Sequence, residues 1–376
     1  MLNTLMSMTS RESVSVNQPK RVAAGIPAVL VALRRSLAQM GPRRTAETLA
    51  RVNQRDGFDC PGCAWPEEPG GRRLAEFCEN GVKAVAEEAT RRVVTPEFFA
   101  AHPVAELAEK PEYWLSQQGR LTHPVMLGPG ETHYRPVGWD EAFAVIAEHL
   151  HALSSPDEAV FYTSGRTSNE AAFLYQLLVR SFGTNNLPDC SNMCHESSGT
   201  ALIESIGIGK GSVTVEDIEH ADLIVIAGQN PGTNHPRMLS VLTKAKANGA
   251  RIVAVNPLPE AGLIRFKDPQ TVRGVLGKGV PIADEFVQVR LGGDMALFRG
   301  LARLLLEAED RDPGSVLDHD FIAAHCRGFD DYAAAARAVS LDTVVDATGI
   351  GLPQLRRVAD LLAGSTRTIV CWAMGL

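Results

Sequence analysis

Apolar runs that break into small and amide residues constrain this chain more than anything else in it. Leu223-Ile224-Val225-Ile226-Ala227 runs straight into Gly228-Gln229-Asn230-Pro231-Gly232. Arg251-Ile252-Val253-Ala254-Val255 runs into Asn256-Pro257, and Phe286-Val287-Gln288-Val289-Arg290 is followed closely by Gly292-Gly293-Asp294. Helical patterns lie between and after them, over residues 236–249, 295–307 and 355–362, and the last feeds Thr368-Ile369-Val370-Cys371-Trp372. Strands that are apolar almost throughout must be covered on both faces, and helices between successive strands supply the cover. The pattern predicts an α/β fold with doubly wound, mainly parallel sheets. Upstream, Ala159-Val160-Phe161-Tyr162 predicts another buried strand. Thr167, with Glu170 three residues on, reads as a capping box for a helix that carries Phe173, Leu174, Leu177 and Leu178 on one face and stops at Gly183.

In such sheets ligands bind outside the carboxyl ends of the strands. Here those ends read Ser164-Gly165, Gly228 to Gly232, Asn256-Pro257 and Gly292-Gly293-Asp294. The glycines among them allow close backbone approach, and Gln229, Asn230, Asn256 and Asp294 add amides and a carboxylate. Amides donate and accept, as a nucleotide base and ribose require. Helix starts expected at Asn169 and Pro236 suit phosphates. Any one of these ends is ordinary turn chemistry, and the four together point to a nucleotide-like ligand. That ligand is not NAD by this reading, because Gly-Gln-Asn-Pro-Gly is not the G-x-G-x-x-G fingerprint.

Cysteine carries the second signal. Cys60-Pro61-Gly62-Cys63 sits in turn-rich sequence between Asp56 and Pro66, and Cys78-Glu79-Asn80-Gly81 closes the region. Two thiolates at that spacing suit zinc or an iron–sulfur cluster, with Cys78 as a third ligand. A redox pair would need a helix opening at the motif, which Pro61, Gly62 and Pro66 oppose. Cys194-His195, in a loop before Gly199, reads either as two ordinary loop residues or as a metal-bound thiolate beside an acid/base; Cys190 competes as the ligand. Cys326, at the end of a helical stretch, and Cys371, in an apolar strand, read as structural.

Composition removes other classes. A net charge of −7 opposes a nucleic-acid footprint, and no apolar run approaches the length of a membrane span. Arg34-Arg35 has no apolar stretch after it, so the expected location is the cytoplasm. Seven cysteines in a cytosolic chain of 376 residues do not form a disulfide framework. Residues 1–55 read as an extension with a polar head, then one helix stopping at Gly41-Pro42 and a second over 45–52. Residues 56–137 form an iron–sulfur-type region with a helix over 82–92, and residues 138–376 the α/β region.

Taken in order, these pieces resemble the catalytic subunits of the molybdopterin-dependent oxidoreductases, the formate dehydrogenase/DMSO reductase superfamily. The likeness is greatest to its formate dehydrogenase alpha-like, YdeP-type branch, associated with acid resistance. It rests on Arg120-Leu121-Thr122-His123-Pro124-Val125, Arg135-Pro136-Val137-Gly138-Trp139-Asp140-Glu141-Ala142, Gly165 to Glu170, Gly183-Thr184-Asn185-Asn186, and Gly228-Gln229-Asn230-Pro231 with His235-Pro236. The resemblance implies molybdenum bis(molybdopterin guanine dinucleotide) and a [4Fe-4S] cluster as cofactors. It implies Cys194 as the molybdenum ligand and His195 as the catalytic proton acceptor. Gly165, Asn169, Gln229, Asn230, Asn234, Asn256 and Asp294 would hold the dinucleotides, and Cys60, Cys63 and Cys78 the cluster.

The implied activity is a formate dehydrogenase-like two-electron oxidation or reduction of a small substrate, with electrons relayed to a partner protein. Two departures accompany the likeness. Glu67 stands where the third cysteine of the family's box would come, and the Cys-x-Lys-Gly tail reads Cys78-Glu79-Asn80-Gly81. The chain stops after a strand, at Leu376, where the family continues, so an N-terminal part is expected. These departures motivate an alternative, a non-catalytic module that holds cofactor or a partner.

Overall fold

The computed structural model describes residues 18–63, 65–66, 75–163, 167–188 and 195–372. Helix α1 spans Gly25–Leu49, and the two expected helices are its halves, joined across a kink at Gly41 (φ 72°, ψ 173°) before Pro42. The left-handed φ suits glycine, and proline lacks the N–H that would continue the ladder. Helix α1 buries Ser36, Gln39 and Met40 and packs on α2, Glu79–Glu88. Helix α2 starts three residues before the expected position, because Cys78 caps it and accepts from Gly81 N–H.

Helices α3 (Trp139–His151), α4 (Asn169–Phe182) and α5 (Glu196–Ile206) follow. Ser168, rather than Thr167, caps α4 by accepting from Ala171 N–H at 3.2 Å, while the Thr167 hydroxyl pairs with Thr163 at 2.6 Å. Gly183 ends α4 in the left-handed region, as expected. The stretch 159–162 joins no sheet among the described residues. Phe161 N–H donates to the Asn186 carbonyl at 2.9 Å, and Val160 and Tyr162 are exposed. The expectation failed there because an apolar run becomes a strand only where neighbours pair with it.

The central sheet has four parallel strands: β1 (Leu223–Ala227), β2 (Arg251–Val255), β3 (Glu285–Val287) and β4 (Thr368–Trp372), in the order β4-β1-β2-β3. All five residues of β1 are buried, and all of β2 except Arg251. Alternate side chains serve opposite faces. Ile224, Ile226, Ile252 and Ala254 pack with Leu239 and Leu242 of α6, Met238–Ala247. Leu223, Val225, Val253 and Val255 pack with Leu297, Leu301, Val344 and Leu355. These come from α7 (Asp294–Arg311), α8 (Leu341–Thr348) and α9 (Leu352–Ala363).

The strands advance from β1 to β3, then the chain returns to place β4 on the far side of β1. The direction of winding therefore reverses between β1 and β4, and that gap is the crevice where such sheets take ligands. At the opposite end of these strands, Asp222 pairs with Arg367 at 2.6 Å.

Candidate functional site

The carboxyl end of β1 turns through Gly228, whose φ of 66° is left-handed and whose N–H donates to the Val255 carbonyl at 2.9 Å. The turn places Gln229 across the crevice, where its Nε2 donates to the Trp372 carbonyl of β4 at 3.3 Å. Buried Asn256, at the end of β2, donates from Nδ2 to the Gln229 carbonyl at 2.9 Å. Asn230 caps the short helix Pro231–Asn234 by accepting from Thr233 N–H at 3.2 Å, and its own amide donates to Glu260 at 2.6 Å. Gln229, Asn230 and Asn256 are thus drawn together at the winding reversal.

Gln229 Oε1 is buried with no hydrogen-bond partner among the described residues. A buried acceptor left unsatisfied costs about 1–3 kcal/mol. A ligand N–H or O–H in the crevice would remove that cost, so the residues present fit a nucleotide-bearing group.

The cysteine region is built by one buried asparagine. Asn53 has a left-handed φ of 54°; its Oδ1 accepts from Cys60 N–H at 2.8 Å and its Nδ2 donates to the Glu76 carbonyl at 2.6 Å. One side chain therefore holds both arms of the loop. Gly62 N–H donates to Cys60 Sγ and Gly81 N–H to Cys78 Sγ, each at 3.3 Å. A Cβ at Gly81 would stand 2.7 Å from Cys60 Sγ and 3.7 Å from Cys78 Sγ. The Cys60 sulfur therefore crowds a point that only glycine leaves open, with the Cys78 sulfur in ordinary contact beside it.

Burial pushes the Cys78 thiol up, and the neighbouring Cys63 and Cys60 add to this, while N–H donation from Gly81 opposes it. A cation at the sulfurs would favour the thiolate. Cys60, Cys63 and Cys78 line one cavity of about 870 Å³, and N–H groups already point at two of the sulfurs, which suits a thiolate-held group. The three cysteines share the cavity without being gathered into a metal-holding set as they stand, and no other set of three or more His, Cys, Asp or Glu is so arranged among the described residues.

The far wall of that cavity is Thr233, Asn234, Pro236 and Arg237, the segment that continues from the Gln229–Asn230 turn. Asn234, expected at the dinucleotide, therefore faces the cysteines. Sequence reasoning missed Asn53, Glu76, Glu260 and Arg237 as members of the site. The available signal was Asn53 heading the turn-forming run Asn53-Gln54-Arg55-Asp56-Gly57.

The other expected residues stand apart from this network or outside the described residues. Asn169 is exposed at the first position of α4, and half-buried Asp294 begins α7. His195 caps α5 without a side-chain bond to it, and Ser198 Oγ, three residues on, is buried without a partner among the described residues. Cys194, Cys190 and Gly165 lie outside the described residues. Pro236 does not start a helix; α6 begins at Met238. Cys326 is exposed rather than structural, and Cys371 is mostly buried, with burial pushing its thiol up to about 11.

Comparison with known proteins places this geometry in context. The family described as molybdopterin oxidoreductase matches residues 120–273. An uncharacterized oxidoreductase of Mycobacterium tuberculosis (strain ATCC 25618 / H37Rv) is 74% identical over 365 residues, covering 97% of this chain and 47% of that protein. Protein YdeP of Escherichia coli (strain K12) is 43% identical over 343 residues, 90% of this chain and 45% of that protein. Formate dehydrogenase H of the same strain is 28% identical over 262 residues, 68% and 33% respectively. Acetylene hydratase from Pelobacter acetylenicus superposes with a TM-score of 0.53 at 18% identity, over 67% of this chain and 32% of that one, a likeness of fold. The chain spans about half the length of the first two relatives.

Proposed function

The chain belongs to the molybdopterin oxidoreductase superfamily, and on that premise we propose that it forms the dinucleotide-binding and cluster-binding part of a formate dehydrogenase-like oxidoreductase. Molybdenum held by two molybdopterin guanine dinucleotides would supply two-electron oxidation or reduction of a small substrate. The observation that carries the reading is the buried, unpartnered Gln229 Oε1 in the β1–β4 crevice, one short turn from a cavity lined by three cysteines.

Each residue then has a task. Gln229 accepts a hydrogen bond from the dinucleotide, and Asn256 fixes the Gln229 backbone so that its side chain is set before the ligand arrives. Asn169, Asn230, Asp294 and Gly165 complete the dinucleotide contacts, while Asn234 lines the cysteine cavity. Cys194 would supply a thiolate ligand to the molybdenum, and His195 would take the substrate proton on an imidazole nitrogen. Cys60, Cys63 and Cys78 would hold a [4Fe-4S] cluster, whose chemistry is one-electron transfer toward a partner protein.

Elemental analysis of the full-length protein tests the assignment. Wild type is expected to carry molybdenum and iron. Cys194→Ala should lose activity and lower molybdenum while iron is retained, and Gln229→Leu should lower molybdenum through weaker dinucleotide binding. Unchanged molybdenum and activity in Cys194→Ala would sink the proposal.

A further inference from the structure

The five residues Thr233-Asn234-His235-Pro236-Arg237 touch the cysteine region three times. Asn80 Nδ2 donates to the Thr233 carbonyl across 153 positions of sequence. Arg237 pairs with Glu76 at 2.6 Å, with side chains only 15% and 12% exposed. The His235 and Trp65 rings lie 6.4 Å apart. Asn234 stands between these contacts and lines the cysteine cavity. At its other end the segment is continuous with Asn230 and Gln229, through a single helical turn that Asn230 caps.

One short peptide is therefore a wall of two sites. A group filling the cysteine cavity restricts Thr233 to Arg237 through Asn80, Glu76 and the cavity wall itself. That restriction fixes the turn presenting Gln229 and Asn230, so part of the ordering cost of a second ligand has already been met.

We propose that residues Thr233 to Arg237 make loading of the cysteine cavity and binding of a guanine nucleotide at the β1–β4 crevice cooperative, with Asn80, Glu76 and Arg237 as positioning residues. This rests on the reading given under Proposed function. The coupling is reciprocal: iron–sulfur loading tightens nucleotide binding by the same factor as nucleotide tightens cluster retention.

GDP, carrying the guanine end of the dinucleotide, is the probe. Its affinity for the full-length, molybdenum-free protein is measured by calorimetry, before and after reconstitution with ferrous iron and sulfide. Tighter GDP binding after reconstitution, by about tenfold within the usual range of allosteric couplings, is expected. Asn80→Ala combined with Arg237→Gln should bring the two affinities together at the iron-free value. Arg237→Lys alone, which keeps the charge beside Glu76, should retain most of the difference. A general loss of structure would instead remove GDP binding from the double variant in both states.

Equal GDP affinities in the two wild-type states would overturn the coupling and leave the site assignment standing. Absence of GDP binding in both states, or failure to take up iron, would overturn the underlying reading and the coupling with it. Should the double variant not fold, the wild-type comparison decides alone.

Discussion

Asn53 shows how much of the cysteine region hangs on one side chain. It bonds Cys60 N–H and the Glu76 carbonyl while its own backbone holds a conformation few residues other than glycine and asparagine adopt readily. Asn53→Ala removes both bonds and leaves the strained φ in place. Two buried hydrogen bonds at about 0.5–1.5 kcal/mol each predict a loss of about 1–3 kcal/mol in denaturant unfolding, and lower iron content in the full-length protein.

Among the carboxylates held below their ordinary range, Asp222 and Glu309 are the most strongly depressed. Arg367 donates to Asp222 and holds its carboxyl at about 2, against an ordinary 3.8. The Gly314 N–H, then His319 and the N–H groups of Leu317 and Val316, hold Glu309 at about 2, against 4.5. Both folded values are depressed, so their stabilisation is complete above about pH 4.5 and disappears as pH falls toward 2. Acid unfolding followed by circular dichroism should shift to higher pH in Glu309→Ala. In Asp222→Asn, the dependence of stability on pH between about 4 and 2 should flatten.

The elements around the crevice are set by backbone packing as much as by side chains. The helical turns Pro231–Asn234 and Ala261–Ile264 meet glycine to glycine: a Cβ on Gly262 would stand 2.8 Å from Gly232 Cα. A backbone atom cannot move aside as a flexible side chain can, so the turns must separate. Gly262→Ala is expected to lower stability by about 1–3 kcal/mol, the range for overpacking, and to weaken GDP binding because Asn230 is tied to Glu260 across the same junction. An unchanged denaturation midpoint would show that the junction yields freely.

Element boundaries divide along the same line. Strands β1 and β2 were legible to the residue, because a run buried on both faces has no other placement and its turn residues mark where it stops; the edge strand β4 was also legible, although Thr368, Val370 and Trp372 are exposed. The stretch 159–162 was equally apolar, yet it is held by Asn186 rather than by a strand. Likewise, the cap of α4 moved from Thr167 to Ser168, since two hydroxyls in succession offer the same chemistry and only the Thr163 contact tells them apart.

At the scale of the whole molecule, the inner strands of the sheet are covered on both faces, while the edge strand β4 and the helices before the sheet expose apolar side chains. Trp139, Phe143 and Ile146 on α3 are 65%, 60% and 55% exposed, and Phe173, Leu174, Leu177 and Leu178 on α4 are 53–64% exposed. Rows of this kind are unlike the scattered apolar residues of an ordinary surface and mark faces that take a partner or self-associate. The 376-residue chain is expected to bind a hydrophobic dye and to self-associate in sedimentation experiments. Phe173→Glu with Leu177→Glu should reduce both without changing helix content; an unaltered sedimentation profile would count against the face. No described helix is long and apolar enough to cross a membrane.

What the sequence by itself determined was local: both-face-buried strands, the helices between them, the Cys-x-x-Cys turn, and the amide-rich ends that suggest a nucleotide. Each follows from residue type and spacing within a few positions. The tertiary structure alone decided that Gln229 would span from β1 to β4 with one oxygen left unpaired, that Asn53 would hold Cys60, and that Asn80 and Glu76 would reach Thr233 and Arg237. The contacts to Thr233 and Arg237 leave no periodic signal, because an amide or a charged side chain looks the same in sequence whether it meets water or a partner more than 150 residues away.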